Sequence, residues 1–236
     1  MGLNAKKQPS SGGGRVDQDV LPIALYPARL VQIIDLGLQP QQAWQGKSKP
    51  PVQKISLTYE LSDEFMKDED GNEVLDRPRW VSETMPFYNL DADKAKSTLR
   101  YRALDPQESA GGDFTALAGS ACQVAIVHNE SKGKTYANVG DVSGAPNFKG
   151  YIQPELVNEP LIFLCDEPDL EAWEKIPEWI QDIIKSNLEY NGSVLQKTLG
   201  GQPAPEPTQD DVPAASGTPP PAPPAPPAPP APPAPQ

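Results

Sequence analysis

The sequence predicts a mainly β protein, and three observations carry that reading. Five segments between residues 20 and 148 have the composition and alternation of strands. Only one segment in that span, Asp91 to Leu104, changes to a helical period. The breaks between segments carry turn chemistry, with Asp70-Gly71 as the clearest hairpin dipeptide. Strand, strand, strand, helix, strand, strand is the element order of an OB-fold. The expected architecture is therefore a five-stranded OB-like Greek-key barrel with one helix between strands 3 and 4. A small acidic helical appendage at 149–199 and a disordered tail at 200–236 complete the expected organisation, after a flexible arm at 1–19.

The arm is expected from Ser10-Ser11-Gly12-Gly13-Gly14. The first strand is placed over Ile23 to Leu38. Tyr26, Ala28, Leu30 and Gln32 point one way, and Pro27, Arg29, Val31 and Ile33 the other. Gln39 to Pro51 reads as a polar loop, with Trp44 either tucked onto the core or offered as a stacking surface. Gln53 to Leu61 alternates cleanly, with Ile55, Leu57, Tyr59 and Leu61 on one face. The acidic stretch around Asp70 lacks the ligand spacing of a calcium loop and is read as a turn. Trp80 to Tyr88 is the third strand. The helix is expected to start at an Asp91 N-cap and to bury Ala92, Ala95, Leu99 and Ala103, with Pro106 closing it. Cys122 to His128 and Tyr136 to Val142 form a hairpin whose tip carries Lys132 and Lys134.

Beyond Pro146 the pattern changes. Tyr151 to Cys165 reads as a linker with one apolar piece, Leu161 to Leu164. Pro168 to Ile176 and Pro177 to Leu188 read as two helices, the second with a stripe of Ile180, Ile183, Ile184 and Leu188. Asn191-Gly192 is expected to stop it. Such a unit cannot bury its stripe alone and must pack on the barrel or on a partner. From Gly200 the composition is that of a disordered chain, ending in Pro-Pro-Ala repeats that favour polyproline II.

Charge is divided unevenly. The net charge is −12, yet residues 1–153 hold 17 Lys and Arg against 19 Asp and Glu, a net of −2, whereas residues 154–236 hold 3 against 13, a net of −10. The acidic balance therefore belongs to the rear of the chain and does not exclude a nucleic-acid partner for the front. No apolar run is long enough to cross a bilayer, and Met1 to Lys7 lacks the apolar core of a signal peptide. Cys122 and Cys165 sit in apolar surroundings, as buried thiols of a reducing compartment do, so a cytoplasmic location without membrane contact is expected. The single histidine, His128, lies in an apolar run. No phosphate loop, dinucleotide turn, zinc spacing or nucleophile motif is present, so no enzyme activity, metal or cofactor is expected.

Several segments together resemble a bacteriophage family of OB-fold single-stranded DNA-binding proteins. They are Leu25 to Val31, Lys54 to Leu61, Trp80 to Tyr88 with the basic helix to Leu104, Leu117 to Val124, and Lys132 to Val139. The resemblance covers about residues 20–145 and implies a protein that coats and protects single strands during DNA replication or recombination, in the cytoplasm of an infected bacterium. It also implies that the acidic C-terminal region contacts phage replication or recombination proteins. The tail departs from the bacterial type, because Asp210-Asp211-Val212-Pro213 is internal and Pro-Ala repeats follow it.

A single-strand binder needs a cationic track and aromatic faces, since stacking tolerates any base. The candidates are Arg29, Lys47, Lys49, Lys54, Arg79, Lys94, Lys96, Arg100, Arg102, Lys132 and Lys134, with Trp44, Trp80, Phe87, Tyr88 and Tyr136. The alternative for each is an ordinary core position or a solvated face. A different reading of the whole chain is a virion or assembly adaptor whose small barrel and Pro-Ala stalk serve protein contacts alone.

Overall fold

The structure, a computed structural model, describes residues 18–43 and 45–201. The expected arm before residue 18, the tail beyond residue 201 and Trp44 lie outside the described residues. The protein is mainly β. Five long strands, β1 (Leu25–Gln39), β2 (Val52–Lys67), β3 (Glu73–Pro86), β4 (Ala121–Ser131) and β5 (Lys134–Gly144), form an antiparallel sheet in the order β3-β2-β1-β4-β5. Helix α1 (Lys96–Leu104) links β3 to β4.

The first core lies between the inner face of this sheet, α1 and the 3-10 turn at Thr115–Leu117. The alternation read in the second strand holds. Ile55, Leu57, Tyr59 and Leu61 all enter this core, each aliphatic side chain contributing roughly 1.5–3 kcal/mol through burial. The strand is longer than expected and forms a hairpin with β3. Its tip is organised by Asp68, whose Oδ1 accepts from the backbone N–H groups of Asp70 and Asn72. The second hairpin also runs further than expected, narrowing to the two-residue turn Lys132-Gly133. Both residues have positive φ, 52° and 73°, as a type I′ turn demands.

β1 departs from simple alternation. Register shifts between Leu30 and Gln32, and again between Asp35 and Leu38, change which face each side chain meets. Ile33 therefore enters the first core, while Ile34 and Leu36 enter a second core. Gly37 sits at the second shift with φ 72°, and a Cβ there would lie 2.6 Å from the Asn187 side chain. The chain around Asn187 thus presses directly on β1, and Leu188 N–H donates to the Leu38 carbonyl.

The expected linker contains a sixth strand, β6 (Leu161–Phe163), which pairs in parallel with Gln32 to Ile34 of β1. Helices α2 (Leu170–Lys175), α3 (Glu178–Lys185) and α4 (Val194–Thr198) follow. Asp169 caps α2 by accepting from the Glu171 and Ala172 N–H groups. Ile180 and Ile184 of the expected stripe are buried, Ile183 packs partly against them, and Leu188 is exposed beyond the end of α3. Trp173 supplies the centre of this second core, with its ring centroid 5.4 Å from that of Phe163.

Helix α1 differs from expectation in both start and face. It begins at Lys96 behind Ala95, which makes no side-chain cap, because Asn89 holds residues 89–92 in turns through its side chain and carbonyl. Its buried residues are Ser97, Thr98, Arg100, Tyr101 and Leu104, and Leu99 is half exposed. Tyr101 decides the rotation: it is fully buried, meets the Phe114 ring edge-on at 5.3 Å, and accepts from Gly112 N–H.

β3 and β5 are the sheet's edges and are not joined by backbone pairing, so the sheet is open. They approach each other, and Arg100 fills the seam. Its guanidinium donates to Glu83 of β3 (Nε to Oε1, 2.8 Å) and to Asp141 of β5 (Nη1 to Oδ1, 2.6 Å), with a further bond to the Gly140 carbonyl. Burial alone pulls the Arg100 pKa down, but the hydrogen bonds and charge of Glu83, with the Asp141 bond, outweigh it and the net shift is upward.

Both thiols are free. Burial pushes the Cys122 thiol up to about 12 and raises that of Cys165 as well, where the Asp35 carboxylate adds to the effect. At pH 8 both stay protonated, well below their titration, and a thiolate is the reactive form. A maleimide or disulfide reagent is expected to label neither in the native protein and both in denaturant; rapid native labelling would contradict this. No helix among the described residues is long and apolar enough to cross a membrane.

Candidate nucleic-acid interface

The arginines expected to form a cationic track are largely committed to the protein itself. Arg29, on β1, donates to the Pro154, Gln153 and Gly119 carbonyls and pairs with Glu155 at 3.2 Å, which fastens a downstream segment to the sheet. Arg79 donates to the Asp19 carbonyl. Arg100 is the buried seam residue. Arg102 pairs with Asp93 and Glu108 at 2.9 and 3.2 Å, and those carboxylates hold its pKa above the ordinary value. Lys96 pairs with Glu83 at 2.7 Å.

Most of the remaining candidates fall into two places. Lys132, Lys134 and Tyr136 are exposed at the β4–β5 tip, at the end of the sheet where β1 begins, and neither lysine makes an ion pair among the described residues. His128, further down that arm, engages the Leu21 carbonyl through Nε2 at 2.8 Å. Lys54, Trp80, Phe87 and Tyr88 are grouped instead along β3. Lys47 and Lys49 lie exposed in the loop joining β1 to β2, and Lys94 is exposed before α1.

Strand alternation explains the β3 grouping. Val81, Glu83 and Met85 face inward, so Trp80, Ser82 and Thr84 face outward, and all three are exposed. On β2 the opposed residues are Glu60, Thr58 and Ser56, with Lys54 opposite Pro86. Thr58 and Ser82 share a hydroxyl hydrogen bond of 2.9 Å. The result is a strip roughly 20 Å long from Trp80 to Pro86 at the strand rise, with Ser82 and Thr84 exposed and Thr58 and Ser56 buried beside them. Three clefts open along it. At one end a cleft of about 470 Å³ is bounded by Trp80, Arg77, Asp76, Pro78, Met66 and Asn158. Further along, a cleft of about 280 Å³ is lined by Lys54, Thr84, Met85 and Pro86 with Gln41 and Gln42. Beyond the strand, Phe87 and Tyr88 wall a cleft of about 440 Å³ against Asn89, Leu90 and Gly111-Gly112.

The aromatics on this strip are held in place. Trp80 Nε1–H donates to Glu60 Oε2 at 3.2 Å while the residue stays 42% exposed. Phe87 packs edge-on against Phe114, with centroids 5.6 Å apart, and Tyr88 N–H donates to Ser97 Oγ. Arg77, Glu60 and Asn158 were not among the expected site residues. Arg77 escapes notice because it lies before the strand expected to begin at Trp80, whereas β3 begins at Glu73, and β2 and β3 shift register between Glu60 and Met66 beside it. Among the described residues no group of three or more His, Cys, Asp or Glu is placed to hold a metal ion.

No protein-family model matches the chain, and no curated protein matches it significantly. The geometry of the strip therefore stands on its own.

Proposed function

We propose that the protein binds single-stranded DNA without strong sequence preference, along the outer face of β3. The observation that carries this reading is the strip itself: exposed hydroxyls bracketed by Trp80 at one end and Phe87 and Tyr88 at the other, with Arg77 and Lys54 beside them. Aromatic faces accept any base by stacking, each worth about 1–3 kcal/mol, and the cations meet phosphates. The strand order, with β1 paired to both β2 and β4, supports an OB-like barrel. In that reading the β3–β5 seam is sealed by the Arg100 side chain in place of a ladder. Coating of transient single strands in replication or recombination, in an infected bacterial cell, is the role that fits such a surface. The acidic rear of the chain is then the region that meets partner proteins.

Tryptophan fluorescence tests the proposal. Adding oligo-dT at low salt is expected to quench emission, and raising the salt to reverse it, because phosphate contacts release counterions. Trp80→Ala is expected to weaken binding by about 1–3 kcal/mol. Absence of both quenching and a gel shift at low salt would sink the proposal.

A further inference from the structure

Residues 153–158, between β5 and β6, cross the outer face of the sheet as a strap. Two charged side chains fasten it. Arg29 holds the carbonyls of Gln153 and Pro154. Glu60, buried on β2, accepts from Val157 N–H at 2.6 Å, from Asn158 N–H at 3.3 Å and from Asn158 Nδ2 at 2.7 Å. The same Glu60 carboxylate accepts from the Trp80 indole. Glu60 has no cationic partner among the described residues, so these donors are what satisfies a buried carboxylate.

One buried group thus fixes both an exposed aromatic face and a side chain of the strap, and the two line one cleft together with Arg77. Because Asn158 spends its Nδ2 on Glu60, its Oδ1 has no partner among the described residues. Arg77 is exposed and makes no ion pair among them; Asp76 is the one acid on the rim.

We infer that the strap completes a single-nucleotide subsite. A base of the bound strand stacks on Trp80 and offers an N–H to Asn158 Oδ1, and Arg77 takes the adjoining phosphate. Glu60 is a positioning residue that holds Trp80 and Asn158 in register without touching DNA. This rests on the proposed single-strand binding and adds to it a wall that comes from outside the β2–β3 hairpin. It makes the segment after β5 part of the binding surface and not a spacer.

The test uses the full chain and an oligo-dT of about 16 nucleotides, the upper end of the site size of such folds. Asn158→Ala and Glu60→Gln are each expected to weaken binding about three- to tenfold and to reduce the quenching amplitude. Combined with Trp80→Ala, neither is expected to weaken binding further, since all act through one subsite. Arg77→Gln is expected to lower the salt slope by about one. Asn158→Ala trims a partly exposed side chain, so it remains informative if Glu60→Gln unfolds. Wild-type affinity and quenching in Asn158→Ala, alongside a weakened Trp80→Ala, would overturn the strap's role and leave the proposed function standing. An unchanged salt slope in Arg77→Gln would remove the phosphate contact. A wild-type protein that does not bind the oligonucleotide overturns both readings.

Discussion

Cutting Arg100 back to alanine is expected to lower the free energy of unfolding by about 3–5 kcal/mol, the cost of stripping a buried charge of its partner. Arg100 and Glu83 are both nearly inaccessible, at 2% and 4% side-chain exposure. Glu83 also accepts from the Tyr59 hydroxyl, so its removal from water is complete on the inner side. Burial, followed by the Glu83 charge, raises the Tyr59 pKa well above its usual value, so the phenol stays a donor throughout the neutral range. In the alanine variant, Lys96 and Tyr59 remain beside Glu83, but the seam between β3 and β5 is vacated. Urea denaturation measures the effect. Pairing Arg100→Met with Glu83→Gln is expected to restore much of the loss, because the penalty lies in a buried carboxylate left with the half-exposed Lys96 as its one cationic partner and not in the missing attraction. A loss no greater than the roughly 0–1 kcal/mol of a surface pair would contradict the seam's importance.

Trp173→Ala is expected to cost about 3–5 kcal/mol, and to spend it locally. Trp173 stands at the centre of the second core, against Phe163, and the Lys185 ammonium lies 5.4 Å from its ring centroid. From the five long strands that core takes only Ile34 and Leu36, both of β1. Hydrogen exchange is expected to accelerate at amides of α2, α3 and α4 while those in the centre of β2 keep their protection. Equal acceleration in β2 would mean that the helices and the sheet open as one unit.

The sequence disclosed the strands better than the surface. Alternation in Ile55, Leu57, Tyr59 and Leu61 is a local property, and it fixes which face of β2 is buried. The rotation of α1 was not local. Alanine spacing favoured one face, but Tyr101 and Arg100 had destinations on Phe114 and Glu83 that no helical period records. The cationic track suffered for the same reason. A sequence displays every arginine, yet the carboxylates and carbonyls that engage Arg29, Arg79, Arg100 and Arg102 come from distant segments. What remains for a ligand is decided by those pairings. The strap's contribution was invisible too, since a short polar stretch such as Gln153 to Asn158 carries no period at all.

β6 has a consequence for how the chain is made. Along one edge of β1, the pairing passes from β4, at Leu25 to Arg29, to β6, at Gln32 to Ile34. During synthesis the five long strands leave the ribosome before Leu161 does. At about 5–20 residues per second, the rest of the chain to Leu195 follows over several seconds. Throughout that interval the middle of β1 presents bare amide and carbonyl groups, next to an uncovered Ile34 and Leu36. That is an adhesive edge, able to recruit a neighbouring nascent chain. The three residues of β6 and the helices behind them act as a stopper built into the polypeptide. A fragment ended after β5 lacks that stopper.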